Sequence, residues 1–139
     1  MNRKASAHWE GNLKEGKGHL STQSTTLNKT QYSFKTRFEE GTGTNPEELL
    51  AAAHAGCFTM AVGAMLTQAG LNPIALDTEA TLDLDGVNLV VKGIHLELKG
   101  QVAGITNEKF QEVAKGAEKN CIISKALSIP ITMNATLLV

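Results

Sequence analysis

The chain has 139 residues, with 13 basic against 14 acidic side chains and a net charge of −1. That length suits one domain with a core of its own, spanning residues 1–139. The near-neutral balance offers no handle for nucleic acid or an anionic membrane surface, and an aromatic content of 4% leaves no base-stacking platform.

The opening "MNRKASAHWEG" is polar and lacks the apolar run of a secretory signal, so the expected location is the cytoplasm. Three strands are predicted next. "SAHWEG" opens the first and "GKGHLSTQS" forms the second after a Gly-rich turn. "YSFKTRF" reads as the third, with Tyr32, Phe34 and Phe38 on one face and Ser33, Lys35 and Arg37 on the other.

In "GTGTNPEELLAAAHAGC", Asn45 is a good N-cap, Pro46 suits the first helical position, and Glu47 and Glu48 complement the positive helix end. The helix should run to about Ala69 and stop at Gly70. No charge occurs from Leu49 to Leu76. A membrane span needs about 20 strongly apolar residues. This stretch is mostly Ala and Gly, with His54, Thr59, Thr67, Gln68 and Asn72 inside it, so no membrane span is expected. It reads as a helix buried on nearly all sides, wrapped in sheet or paired with another subunit.

Two long strands, "ALDTEATLDLD" and "NLVVKGIHLELKGQVAG", flank the hairpin signal Asp85-Gly86. In the second, Ile94, Leu96 and Leu98 stand against Lys92, His95, Glu97 and Lys99. A second helix starts near Thr106, with Phe110, Val113, Ala114, Ala117 and Cys121 at helical spacing. A short helical piece "ISKAL" follows, and Pro130 precedes a final strand "ITMNATLLV". The order βββ-α-ββ-α-β predicts an α+β fold, antiparallel sheets packed around a long central buried helix.

Several motifs carry no chemistry. "GTGTNPEE" lacks the Lys-Ser/Thr of a phosphate loop. His8, His19, His54 and His95 have no metal-ligand spacing, so no metal is expected, and no Ser-His-Asp arrangement or nucleophile elbow is present. His54 stands one turn before Cys57 and has two readings, a hydrogen-bonding neighbour of the thiol or a core histidine.

Cys57 also has two readings. Free cysteine is among the most buried residue types, and apolar burial raises a thiol's pKa and makes it inert. A reactive Cys57 therefore needs a cation nearby. Of the two arginines, Arg3 lies in the terminal stretch and Arg37 in a predicted strand, where it is either a solvated surface charge or that cation. Glu47 and Cys57 are ten residues apart, which on one straight helix is about 15 Å. A site holding Arg37, Glu47 and Cys57 together would need residues from two chains. Cys57 and Cys121 are not at CxxC spacing, and a static disulfide is not expected in a reducing compartment.

The stretches "AHWEGNLKEGKGHLSTQS", "YSFKTRFEEGTGTNPEELLAAAHAGCFTMAV" and "KGAEKNCIISKAL" resemble, in order, the OsmC/Ohr family of thiol peroxidases, and its OsmC branch most. The resemblance implies an intertwined homodimer of α+β subunits with active sites at the interface, and no cofactor. It implies that Cys57 is the peroxidatic cysteine, Cys121 the resolving one, Arg37 the arginine that holds the thiolate, and Glu47 the acid that orients that arginine. It implies an organic hydroperoxide as substrate and a dithiol, such as a lipoylated protein, as reductant. Leu49, Leu50, Phe58 and Met60 are near the thiol in sequence and are expected to line an apolar pocket. Ile122 stands where family members often have Pro after the resolving cysteine, while Ser124 of the Cys-x-x-Ser pattern is kept. Two other readings are a non-catalytic dimeric module and a thiol redox sensor.

Overall fold

The computed structural model describes residues 1–138, and the chain divides into two compact units that meet between Leu49 and Leu50. In the first unit, strands β1 (Ala5–Glu10), β2 (Lys17–Thr22) and β3 (Thr30–Tyr32) form an antiparallel sheet in that order. Trp9 pairs with Gly18 across β1 and β2, and its ring meets Tyr32 edge-on at 5.6 Å. A Cβ on Gly18 would stand 2.6 Å from Trp9 and 2.7 Å from Tyr32, so the two rings close over a position that only glycine can occupy.

The third expected strand is corrected. β3 ends at Tyr32, and Phe34–Phe38 form a short helix, α1, so Arg37 is helical. Ser33 and Thr36 form a reciprocal capping box that starts the helix. Phe34 and Phe38 share a face at a spacing of four as well as at a spacing of two, and their rings pack 5.1 Å apart. The cap decides what the alternation left ambiguous.

Helix α2 (Pro46–Gln68) begins as expected: Asn45 Oδ1 accepts the Glu48 N–H at 2.7 Å. It ends at Gly70, φ +77°, where the Gly70 and Leu71 N–H groups reach back to the carbonyls of Thr67 and Leu66. Burial on nearly all sides is not what this chain shows. One stripe at four-residue spacing, His54, Phe58, Val62 and Leu66, is buried, whereas Met60 is 78% exposed. By length and composition α2 could cross a membrane. Its stripe instead joins the protein core, with a histidine in it.

The second unit is built on β4 (Pro73–Asp85), β5 (Val90–Val102) and β6 (Ile131–Leu138), in that order. Val139, the expected last residue of β6, lies outside the described residues. β4 and β5 form the expected hairpin, with Asp85 Oδ1 accepting the Val87 and Asn88 N–H groups of the turn. Lys92 is a bulge: Leu84 faces Val91 and Asp83 faces Gly93, which explains how Lys92 stays outside despite sharing the parity of Ile94.

β6 runs parallel to β5, so the expectation of purely antiparallel sheet is corrected. A parallel neighbour needs a crossover, and α3 (Asn107–Asn120) with α4 (Ile122–Ala126) supplies it. Ile94, Leu96 and Leu98 of β5, Phe110, Val113, Ala114 and Ala117 of α3, and the apolar stripe of α2 make one core. Gly100 completes it, because a Cβ there would stand 2.5 Å from the Phe110 ring.

Gly100→Ala is expected to destabilise the fold by about 1–3 kcal/mol through overpacking, read as a lower urea midpoint at unchanged slope. Adding Phe110→Leu to it should recover part of the loss; strictly additive effects would disprove the contact.

Candidate active site

In the second unit the structure brings the two cysteines together. Cys57 lies on α2, three residues after His54, and is half-buried. Cys121 is buried at the joint where α3 ends and α4 begins. Both are free thiols, and their sulfurs share a hydrogen bond at 2.9 Å. The apolar stripe of α3 carries Cys121 inward, and its N–H still bonds the Ala117 carbonyl at 2.8 Å.

The two sulfurs are electrostatically unequal. Burial and the hydrogen bond to Cys121 push the Cys57 thiol up, with the Ile123 and Ile122 N–H groups pulling weakly the other way. Burial also works against ionising Cys121, but the polar groups around its sulfur, the Cys57 thiol first among them, outweigh it and bring that thiol down. Burial therefore opposes ionisation of both thiols. Ile122 contributes an N–H that a proline at that position would lack.

The first unit holds the other expected pair. Arg37 Nε and Nη2 both reach Glu47 Oε1, at 2.9 and 2.7 Å. The guanidinium carbon lies 5.3 Å from the centre of the Phe38 ring. Glu47 is only 13% exposed, and its Oε2 is buried with no hydrogen-bond partner among the described residues. A carboxylate oxygen left unpaired in this way costs about 1–3 kcal/mol. The arginine is thus held by a single oxygen, and the carboxylate retains acceptor capacity.

A cavity of about 760 Å³ opens on the thiols, lined by Cys57 and Cys121 with Met60, Met65, Ile122 and Ile123 among others. Of the four apolar residues expected there, Met60 alone lines it. Phe58 is fully buried in the core and Leu50 packs against that core. Met65 and Ile123 were missed because cavity walls follow from the packing of α2 against the α3–α4 joint, which chain proximity does not encode. Ser124 was visible only as part of a pattern. Its partner, His54 Nε2, lies 2.7 Å from its Oγ across 70 positions of sequence.

A family model described as OsmC-like protein matches residues 39–135. A relative from Escherichia coli, peroxiredoxin OsmC, is 44% identical over 136 residues, covering 96% of this chain and 95% of the relative. The chain belongs to the OsmC-like family. The organic hydroperoxide resistance protein of Xanthomonas axonopodis is 34% identical over 100 residues, or 70% of this OsmC-like chain and 68% of the relative. Among solved structures, OhrB of Bacillus subtilis aligns with a TM-score of 0.63 at 24% identity over 97% of this chain and 98% of its own. An OsmC-like protein of Mycoplasma pneumoniae aligns with 0.77 at 14% identity over 100% and 99%. These likenesses establish the α+β fold of the OsmC-like chain.

His54 offers a stability test. Burial lowers its pKa, so the folded state resists a proton that the unfolded chain accepts at about pH 6.5. Stability should therefore fall as pH drops below about 6.5, and level off below the folded-state pKa. Urea midpoints of wild type and His54→Gln between neutral and mildly acidic pH should converge as pH falls; parallel curves would contradict the burial argument.

Proposed function

We propose that this protein is a dithiol-dependent peroxidase that reduces organic hydroperoxides to alcohols. The observation that carries the reading is the pair of free thiols 2.9 Å apart at the mouth of an apolar cavity. The names of its relatives, peroxiredoxin OsmC and organic hydroperoxide resistance protein, point the same way.

In the proposed reaction the Cys57 thiolate attacks the outer oxygen of ROOH. An S–O bond forms, the O–O bond breaks, and the departing alkoxide takes a proton to become the alcohol. Cys57 is left as a sulfenic acid. The Cys121 thiolate then attacks the Cys57 sulfur, forming the disulfide and expelling hydroxide, which is protonated to water. A dithiol reductant, such as a lipoyl group on a protein, restores both cysteines by exchange and is itself oxidised to a disulfide. An apolar cavity favours an alkyl hydroperoxide over hydrogen peroxide, which gains little from apolar burial.

The first step needs a Cys57 thiolate, and burial in the second unit works against it. We assign the missing cation to Arg37, oriented by Glu47. Glu47 and Cys57 sit ten residues apart on the continuous helix α2, about 15 Å by its rise. The proposed functional form is accordingly a homodimer with Arg37 and Glu47 of one copy serving Cys57 of the other. Each chain, residues 1–139, would act as one OsmC-like domain in the reducing environment of the cytoplasm.

Consumption of cumene hydroperoxide with dihydrolipoate tests this. Cys57→Ser should lose turnover by about a thousandfold or more, and Arg37→Ala by about a hundredfold at neutral pH, with partial recovery at alkaline pH. Cys121→Ser should accumulate a trappable sulfenic acid. A wild type that is oxidised once and never turns over would make the protein a redox sensor instead. Sedimentation at micromolar concentration should give a dimer; a monomer with full activity would remove the two-copy site.

A further inference from the structure

The cavity at the thiols has a direction. Its α2 lining begins at Ala53, one turn before Cys57, and continues through Ala61, Ala64 and Met65 to Gln68. Gln68 lies about 16 Å beyond Cys57 along a straight helix. The open space therefore extends well past the sulfurs along one helix face. Beyond Ala61, Met65 is the one bulky apolar side chain of α2 that lines it.

What holds Met65 aside is a glycine on the neighbouring helix. A Cβ at Gly116 of α3 would stand 2.8 Å from Met65 Cε and 3.4 Å from its Sδ. The end of the methionine therefore rests against bare backbone, in a notch that any side chain would fill. The two glycines of α2 differ: a Cβ at Gly56 would meet nothing within 4 Å, and one at Gly63 only Leu76 at 3.8 Å. Gly116 also lies inside α3, where glycine is, after proline, the poorest helix former. The seat of Met65 is the contact that accounts for a glycine there. On its inner side Met65 packs against the core, which is closely filled. An unseated Met65 has the open volume of the cavity to move into, and its flexible side chain can do so without moving the backbone.

We infer that Met65 is a specificity-determining residue: seated on Gly116, it leaves the passage from Cys57 to Gln68 open and so sets how long an alkyl group the cavity admits. The inference rests on the peroxidase reading above and deepens it, assigning the space beyond Met65 to the far end of a long, linear hydroperoxide. A compact one, such as tert-butyl hydroperoxide, stays beside the sulfurs and does not reach Met65.

The experiment compares kcat/KM for dodecyl hydroperoxide with that for tert-butyl hydroperoxide, with dihydrolipoate as reductant. Gly116→Ala displaces only the tip of a flexible side chain, so the fold tolerates it. It should lower the dodecyl value about tenfold, equivalent to losing the burial of about two methylene groups, with the change in KM and the tert-butyl value unchanged. Met65→Ala should raise the ratio of the dodecyl to the tert-butyl value about threefold, and in the Gly116→Ala background it should recover the dodecyl value. A ratio that is the same in wild type and Gly116→Ala would overturn the inference. So would an equal loss from Gly116→Ala whether Met65 is present or replaced by Ala. A second readout needs no peroxide: labelling of Cys57 in Cys121→Ser by N-ethylmaleimide and by N-dodecylmaleimide, followed by mass spectrometry. Gly116→Ala should slow the long reagent relative to the short one about tenfold, and equal rates of change for both reagents would count against Met65. If wild type consumes neither hydroperoxide, the peroxidase reading fails, while the labelling ratio still decides whether Met65 controls the cavity.

Discussion

Everything in the second unit is referred to the buried stripe of α2. His54, Phe58, Val62 and Leu66 recur every four residues and lock the helix into the core that Ile94, Leu96 and Leu98 build from the sheet. Cys57 directly precedes Phe58, so fixing the stripe fixes the azimuth at which the thiol leaves the helix. It emerges at the edge of the core, half-buried, with the α3–α4 joint bringing Cys121 to it. The small residues elsewhere on α2 leave its other faces free of bulk, and this shapes the cavity at the sulfurs.

The electrostatics are divided between the units. The arginine and its carboxylate are assembled in the first, and the thiols in the second. Neither half by itself has the composition of a reactive site. A guanidinium without a thiolate is an ion pair of modest worth, and a buried thiol without a cation is inert. In the proposed two-copy site, reactivity would be a property of assembly.

Much of this was legible in the residues. Asn45, Pro46 and Gly70 mark the bounds of α2 because capping is local chemistry, written within a few positions. The hairpin at Asp85 and the apolar face of α3 were equally local. The stretch from Phe34 to Phe38 was not, since its five residues fit a period of two and a spacing of four alike until the Ser33–Thr36 cap is seen. Strand direction was also hidden: alternation in β6 is the same whether it runs with or against β5, and only the crossover decides. The residues raised Cys57, with Arg37 as its candidate cation and Glu47 ten positions away, and the resemblance to a family supplied the roles of Cys57, Cys121, Arg37 and Glu47. The bond from His54 to Ser124 spans 70 positions, and no local pattern announces a contact of that range.

The separation of the two cysteines along the chain has a thermodynamic side. They are 64 positions apart, and the segment between them holds the rest of α2, all of β4 and β5, and α3. Joining the sulfurs would close a loop around most of the second unit's core and restrict the unfolded chain far more than the folded one. Loop-closure entropy for that length corresponds to about 4 kcal/mol at room temperature. An oxidised protein would be the more durable form, and the redox balance around it would set how long each molecule lasts as well as whether it is ready to react.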